Sequence, residues 1–401
     1  AASDPVGAGL LNVALSVAEP VPAPAVARVS ADALRKAVAL APRSATARFE
    51  LARALAASGD ATGAREAFLE ARDLDTMPWR PTRATEQAIR DAAKQGGATL
   101  CDVAERFRGI STEGATGWSL LDDHVHPSLQ GQVEVARSVV QTMAGLPGSL
   151  RVDPALAASL PDWNALATAQ GVTAWDAYAV NHTLRTLFGV PFMRRRNEAA
   201  FARFDGACKA VEAAQSPSVR ETLREWHSSV PHAGGKRPLT GMVGRVMLRE
   251  NRVADALPLY QAAQRQVPSY TSWYLEYVYF ELACRQVLQG SLGEPERARA
   301  AEAIAQAKFL LANGFSESGF TERYAGRLHQ LRGEWAEALP FLLAARPKMR
   351  AEDLVACDQA LVDSYRMTGN RAAAVALTED GMRNAGKFAP IYKQLRAKLG
   401  P

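Results

Sequence analysis

The segment from Leu120 to Gly131 holds the side chains of this 401-residue chain that are best suited to chemistry. It reads Leu-Leu-Asp-Asp-His-Val-His-Pro-Ser-Leu-Gln-Gly, so Asp123 stands three residues before His126. A short loop can bring a side chain back onto one three residues ahead. The spacing therefore suits a hydrogen-bonded carboxylate–imidazole pair of the kind that acid–base and nucleophilic catalysis use.

Metal binding is the alternative chemistry for this segment, because Asp122 and His124 are also ligand types. Four ligand types within five residues do not easily surround one ion, and a further His or carboxylate would have to come from elsewhere. The cysteines form no C-x-x-C pair and are far apart, at Cys101, Cys208, Cys284 and Cys357. We therefore predict no metal site, no disulfide framework and no cofactor.

The string Asp123-x-x-His126-Pro127 resembles the last sequence block of the SGNH (GDSL-type) hydrolase family. The resemblance covers about residues 45–144 and implies that His126 is the general base for a serine nucleophile, with Asp123 orienting its ring. The block precedes the last helix of that fold. We accordingly expect a small α/β remnant, with a helix near Thr85 to Lys94 and a strand over Ala98–Val103. A helix should then run from Ser128 to about Ala144.

The sequence departs from this family upstream of the loop, where the Gly-Asp-Ser block and the Gly and Asn of the oxyanion hole are absent. Ser58-Gly59-Asp60 is in reversed order, and Ser3-Asp4 lacks the glycine. An Asp–His pair without a nucleophile or oxyanion donors cannot perform acyl transfer by that mechanism. Either the chain lacks an N-terminal catalytic half, or the segment is a non-catalytic remnant.

Other parts of the chain alternate small and large residues at the spacing of two antiparallel helices joined by a tight turn. The pattern begins at Leu51 and Ala52, and it returns three times in the C-terminal half. Its main positions are Gly59, Ala64, Phe68 and Ala71; Asn251, Ala256, Tyr260 and Ala263; Gly333, Ala338, Leu342 and Ala345; and Gly369 and Ala374. This pattern resembles the tetratricopeptide repeat (TPR) family, whose period is about 34 residues.

The resemblance implies four helical hairpins between about residues 237 and 390, and one and a half between 30 and 76. The hairpin from Trp273 to Asn313 has an irregular register and a longer connection. The predicted class is mainly α, a TPR-like α-solenoid with the small α/β remnant. The segments are 1–27 (Pro/Ala-rich lead-in), 28–76 (TPR-like), 77–149 (SGNH-like), 150–236 (divergent helices) and 237–401 (TPR-like array).

Composition excludes few functions but narrows the choice. A net charge of +5 over this length is modest, and acidic residues lie among the basic ones, so nucleic-acid binding is not implied. No run of about 18 apolar residues predicts a membrane span. The missing initiator Met suggests that a segment was removed from the front. SGNH domains joined to such repeats resemble exported proteins, which implies an extracytoplasmic setting.

The sequence favours an interaction scaffold, in which the first helix of each repeat lines a concave surface for a protein or peptide partner. The candidate residues in these helices are Arg245, Arg249, Tyr277, Arg323, Arg327 and Arg366. Their basic character suggests an acidic or carboxylate-bearing ligand. Alternatively, the arginines solvate the outer face or pair with neighbours such as Glu322 and Asp353. The competing function is the C-terminal portion of an SGNH-like esterase or acyltransferase that uses Asp123 and His126.

Two further clusters have structural interpretations that we favour. The aromatic residues between Trp273 and Phe280 could line a ligand groove, but half of such positions in a helix must face the core. Arg194, Arg195 and Arg196 could bind phosphate, but acidic residues follow on the same helix and indicate a solvated face.

Overall fold

The computed structural model describes residues 30–76, 80–111, 115–195, 197–229, 236–315 and 318–400. Across these ranges the secondary structure is helical, and the only β pairing is an isolated antiparallel bridge between Leu121 and Pro127. This confirms the mainly α class. The predicted lead-in over residues 1–27 lies outside the described residues, as does Arg196.

The chain forms two compact units. Of the described residues, the C-terminal unit contains 170–180 and 207–400, and the N-terminal unit contains 30–169 and 181–206. The helices, numbered here in chain order, are α1 (Ala31–Leu40), α2 (Ala45–Ala57), α3 (Ala61–Asp73), α4 (Arg83–Gln95), α5 (Val103–Ile110), α6 (Leu129–Ala144), α7 (Pro154–Ala158), α8 (Trp163–Ala169), α9 (Ala174–Gly189), α10 (Pro191–Arg194), α11 (Glu198–Ala213), α12 (Pro217–Ser228), α13 (Leu239–Arg249), α14 (Val253–Arg265), α15 (Ser272–Gln289), α16 (Glu294–Ala312), α17 (Phe320–Leu331), α18 (Trp335–Ala345), α19 (Ala351–Met367), α20 (Arg371–Asn384) and α21 (Ala389–Lys398).

Short polar side chains fix where many of these helices begin. Ser44 before α2, Asp60 before α3 and Ser128 before α6 each accept a hydrogen bond from the backbone N–H three residues ahead. These bonds satisfy donors that have no partner inside the helix. The predicted helix start at Ser128 is therefore confirmed.

The same three-residue turn joins α2 to α3, α13 to α14, α17 to α18, and α19 to α20. Its central residues are Gly59, Asn251, Gly333 and Gly369, with φ of 85°, 58°, 79° and 77°. In each turn the next N–H donates to the carbonyl five residues earlier, over 2.8 to 3.0 Å. Glycine and asparagine adopt this left-handed conformation at lower cost than other residues. The four predicted repeat turns thus have one geometry.

Small residues occupy equivalent places after these turns. Ala64, Ala256, Ala338 and Ala374 each lie five positions beyond the left-handed residue, and all four are fully buried. Gly326 shows the same constraint on a first helix, because a Cβ there would lie 2.6 Å from Leu342 Cγ. The paired helices therefore approach too closely for larger side chains, as the TPR-like pattern predicts.

The pair α15–α16 has the irregular connection that the sequence indicates. Gly290 ends α15 in a left-handed conformation with φ of 82°, and α16 begins at Glu294. The aromatic cluster of α15 belongs mainly to the core: Tyr277 is fully buried, and Tyr279 and Phe280 pack against Tyr324 of α17. This confirms the structural interpretation of that cluster.

The predicted strand over Ala98–Val103 is wrong. Residues 98–102 have no regular structure, and Val103 begins α5. Asp102 caps that helix by accepting the Glu105 N–H over 3.0 Å, and Leu100 is 38% exposed. A strand needs a neighbour for its backbone groups, and within the described residues this segment has none. The α/β remnant is therefore not observed, although the helices at 83–95 and 129–144 are.

We expect Gly59→Val and Gly333→Val each to lower the free energy of unfolding by roughly 1–3 kcal/mol, because a β-branched residue is strained at positive φ. A Cβ added at either position would meet open space, so the cost would be conformational and not steric. Urea denaturation of each variant measures the change in the free energy of unfolding.

Gly109→Val is the matched control, because Gly109 is helical and its Cβ would also meet nothing. We expect the control to change stability by less than about 0.5 kcal/mol, and Gly59→Asn to cost less than Gly59→Val. Neutral results for both valine variants would contradict the shared turn geometry.

Candidate binding face and Asp–His pair

A buried ion-pair cluster connects three of the first helices in the C-terminal unit. Glu276 on α15 is 1% exposed and forms ion pairs with Arg237, which precedes α13, and with Arg245 on α13 at 3.1 Å. Arg245 Nη2 also donates to the Tyr324 hydroxyl on α17 over 3.1 Å. A single arginine therefore joins α13 to both α15 and α17.

The electrostatics of this cluster keep Glu276 ionised. Burial alone would raise the pKa of Glu276, but the guanidinium groups of Arg237 and Arg245 overcome burial and leave its pKa below the usual value. The same carboxylate, against the opposing effect of burial, raises the pKa of Arg237. The charges are thus locked in their ionised forms.

Two more predicted arginines lie at contacts between first helices. Arg323 on α17 is 7% exposed and donates to Asp353 on α19 over 2.8 Å. Arg327 donates to Gln330 over 3.0 Å and to the Tyr279 hydroxyl, and its guanidinium lies 4.8 Å from the Tyr279 ring centroid. We call the surface around Arg237, Arg245, Arg323, Arg327 and Arg366 the first-helix face.

The six predicted binding residues have different positions. Arg249 and Arg366 are exposed, whereas Arg245, Arg323 and Arg327 are wholly or partly buried in the contacts just described. The expectation that Tyr277 faces an open surface is wrong, because its side chain is fully buried beside Gly241. Pairing of Arg323 with Asp353 agrees with the alternative interpretation, while Glu322 pairs with Lys348.

The first-helix face nevertheless keeps an excess of positive charge. Its five arginines face three carboxylates: Glu276, Asp353, and Asp363, which interacts electrostatically with Arg327 and Arg366. The Nε atoms of Arg237, Arg245 and Arg323 are buried and have no hydrogen-bond partner. These donors are enclosed by the protein and do not reach solvent, so the accessible positive charge of this face lies on Arg327 and Arg366.

Sequence reasoning did not single out Arg237 or Glu276. The signal was present, because Glu276 interrupts the apolar run Leu275–Phe280. A charged residue in such a run is either exposed or paired inside the protein. Only the tertiary structure, which places Arg237 and Arg245 beside Glu276, shows that this carboxylate is paired inside the protein.

The N-terminal unit contains the predicted Asp–His pair. His126 Nδ1 lies 2.7 Å from Asp123 Oδ2, and the other carboxylate oxygen accepts the N–H groups of Val125 and His126, each over 2.8 Å. Burial alone would raise the pKa of Asp123, but these backbone bonds and the interaction with His126 lower it. The His126 side chain is 76% exposed, so its ring is open to solvent.

The loop around the pair is held by one arginine and a short bridge. Arg80 Nε donates to the His124 carbonyl over 2.7 Å, and Leu121 pairs with Pro127. Burial and the charge of Asp123 raise the pKa of Asp122. Among the described residues, no group of three His, Cys, Asp or Glu side chains is arranged to hold a metal ion.

Two serines of this part of the sequence have other hydrogen-bond partners. Ser128 Oγ donates to the Ser119 carbonyl over 2.6 Å, and Ser111 Oγ donates to the Phe107 carbonyl over 2.6 Å. Neither serine hydroxyl is hydrogen-bonded to the His126 ring in the described structure. Among the described residues, the loop therefore supplies an oriented imidazole that is hydrogen-bonded to Asp123 and to no serine hydroxyl.

No protein-family model and no curated protein matches the chain. Among solved structures it is similar to the TPR domain of P58(IPK), at 13% identity over 84% of this chain and 83% of that chain, with a TM-score of 0.26. This similarity is too low to support an assignment. The repeated turns and buried alanines of this chain show helical hairpins that follow the TPR-like pattern. None of the described helices has the length and hydropathy that crossing a bilayer requires.

Glu276→Gln should lower the free energy of unfolding at pH 7 by about 3 kcal/mol, because it leaves buried arginines without their counter-charge. The folded pKa of Glu276 is lowered, so its contribution is fully present above the unfolded pKa of about 4.3 and is lost as the pH falls toward the folded pKa. The stability difference between wild type and variant should therefore narrow below about pH 4. Urea denaturation at several pH values measures it.

Glu302→Gln is the control, since Glu302 is exposed on α16 and forms no ion pair with any described residue. We expect it to change stability by less than about 0.5 kcal/mol at each pH. An equal effect of the two substitutions would show that Glu276 does not stabilise the cluster.

Proposed function

We propose that this protein is an interaction scaffold whose first-helix face binds an acidic segment of a protein partner. The proposal is supported by the excess of positive charge on this face. Its arginines form a row at the contacts between α13, α15, α17 and α19, and they outnumber the carboxylates around them by five to three. Stacked helical hairpins commonly present one helix of each pair to an extended ligand.

One accessible arginine of this row is already ordered by its neighbours. The Arg327 guanidinium lies 4.8 Å from the Tyr279 ring centroid and donates to Gln330 over 3.0 Å. A guanidinium can stack on an aromatic ring and still donate hydrogen bonds to a carboxylate. Because this side chain is held in place, binding an acidic peptide costs little of its conformational entropy.

The accessible members of the row are Arg327 and Arg366. Arg327 is half-buried and has no ion pair within 4.0 Å among the described residues, and Arg366 is exposed beside a depression lined in part by Asp363 and Lys398. Arg245 and Arg323 hold other helices, so substitution there would change folding as well as binding. A test of binding should therefore change Arg327 and Arg366.

We expect a fluorescein-labelled hexaglutamate peptide to bind in fluorescence anisotropy, and a hexaglutamine peptide of the same length to bind at least about tenfold more weakly. Arg327→Gln combined with Arg366→Gln should weaken hexaglutamate binding by roughly tenfold or more, through loss of charge-assisted hydrogen bonds.

A double variant with the same change in charge provides the control. Arg383 is exposed on α20 of the same unit and forms no ion pair with a described residue, and the same is true of Lys393 on α21. The double variant Arg383→Gln, Lys393→Gln should bind hexaglutamate more tightly than the Arg327, Arg366 variant. Equal binding by both, or equal binding of the two peptides to wild type, would rule out the proposal.

A second candidate function is an SGNH-like esterase or acyltransferase whose nucleophile is supplied from outside this sequence. It is favoured by the 2.7 Å contact between His126 and Asp123, which orients the imidazole while leaving its ring exposed. In that role His126 would be the general base, and an ester of acylated carbohydrate is the substrate class that the resemblance suggests.

The chain as given should hydrolyse short-chain aryl esters no faster than buffer does, because no serine hydroxyl of the described residues is hydrogen-bonded to the oriented imidazole. His126→Ala should behave identically, and a serine-directed phosphonate should not label either form. Mass spectrometry of the treated protein checks this. Stoichiometric labelling of a serine in wild type, lost in His126→Ala, would show that the chain carries its own nucleophile.

A further inference from the structure

A polar depression lies between the second helices α14 and α16, with α15 beneath it. It encloses about 450 Å³ and is lined by Gln261, Gln264, Arg265, Tyr274, Glu281 and Arg299. All of these residues belong to the C-terminal unit. None of them is part of the first-helix face, so this is a separate surface.

The floor of the depression is a fixed pair of buried polar side chains. Gln264 and Glu281 are 5% and 4% exposed, and Gln264 Nε2 donates to Glu281 Oε2 over 2.8 Å. Arg285 Nε donates to the other carboxylate oxygen over 2.9 Å. Burial alone would raise the pKa of Glu281, but these hydrogen bonds, with the charges of Arg299 and Arg285, lower it. The carboxylate is thus ionised and already engaged.

Two arginines at the edge of the depression, Arg265 and Arg299, carry more positive charge than the buried Glu281 neutralises. Arg299 donates to Gln264 Oε1, and its Nε lies 3.4 Å from Glu281, yet 43% of its side chain is exposed. Arg265 is exposed and forms no ion pair with any described residue. The charged residues that line the depression are Arg265, Arg299 and Glu281, which leaves an excess of one positive charge.

We infer that this depression binds an oxyanion, a phosphate or carboxylate group, between the guanidinium groups of Arg265 and Arg299. The volume is within the range of small-molecule sites, but the lining is polar, which favours a charged ligand over an apolar one. Guanidinium groups match the geometry of both oxyanions and can donate to each through two parallel hydrogen bonds. Tyr274 is half-buried at the edge and adds a hydroxyl that can donate.

The hydrogen bonds of Glu281 explain why the ligand would bind to Arg265 and Arg299 and not to this carboxylate. Glu281 accepts bonds at both oxygens, so it has no need of a metal or a cationic ligand. Arg299 spans from α16 to Gln264 of α14, which holds its guanidinium at the rim before any ligand arrives. A site that is ordered in advance loses less entropy when it binds.

Isothermal titration calorimetry tests the inference with two probes, inorganic phosphate and succinate, at constant ionic strength. We expect wild type to bind at least one of them, and the one bound more tightly identifies the oxyanion. Arg265→Gln and Arg299→Gln should each weaken that binding by roughly tenfold or more. Arg265→Gln is the cleaner variant, because Arg265 makes no side-chain hydrogen bond to a described residue and its loss should not disturb folding.

Arg383→Gln removes the same charge from another exposed helical site in this unit and should leave binding within about twofold of wild type. Circular dichroism verifies the fold of each variant. Absence of heat with both probes would overturn the inference. The same loss of affinity in Arg383→Gln as in Arg265→Gln would also overturn it, since the effect would then be one of net charge.

Discussion

The close approach of paired antiparallel helices is the constraint on which the repeated hairpins depend. Contact at Ala64, Ala256, Ala338 and Ala374 requires that these positions carry no side chain beyond a methyl group. It also requires a turn of three residues, which closes only if the central residue adopts positive φ. Both requirements are local, so they recur in the sequence at fixed offsets. The array can therefore vary its other residues without losing the hairpin.

Stacking one hairpin on the next uses a different interaction. Between the first helices of the C-terminal unit, arginines reach across to carboxylates and tyrosines of the following helices, as Arg245 does with Glu276 and Tyr324. A buried carboxylate would be costly alone, and its two guanidinium partners offset that cost. The same arginines form the first-helix face, so part of the predicted binding chemistry is engaged in holding the helices together. Specificity for a partner would then depend on the more accessible arginines, Arg327 and Arg366.

The Asp123–His126 loop shows how little of a catalytic site one motif specifies. Its local geometry forms as the spacing suggests, because the backbone N–H groups of Val125 and His126 turn the chain around the Asp123 carboxylate. The surrounding α/β architecture does not form in the described residues, where residues 98–102 of the expected strand have no regular structure and Val103 begins α5. An oriented imidazole is a component of many sites, and its function depends on what else lies within reach.

The sequence by itself determined the helical class, the four equivalent turns and the buried alanines, because each follows from interactions between residues close along the chain. It also determined the Asp123–His126 contact, which spans three positions. Only the tertiary structure decided that Tyr277 is buried, that Arg323 is engaged with Asp353 and that Glu276 binds Arg237 and Arg245. Those outcomes depend on which helices lie side by side, and residues 30 or more positions apart leave no periodic signal of their pairing. The failed strand has the same cause, since a strand exists only if a distant segment pairs with it.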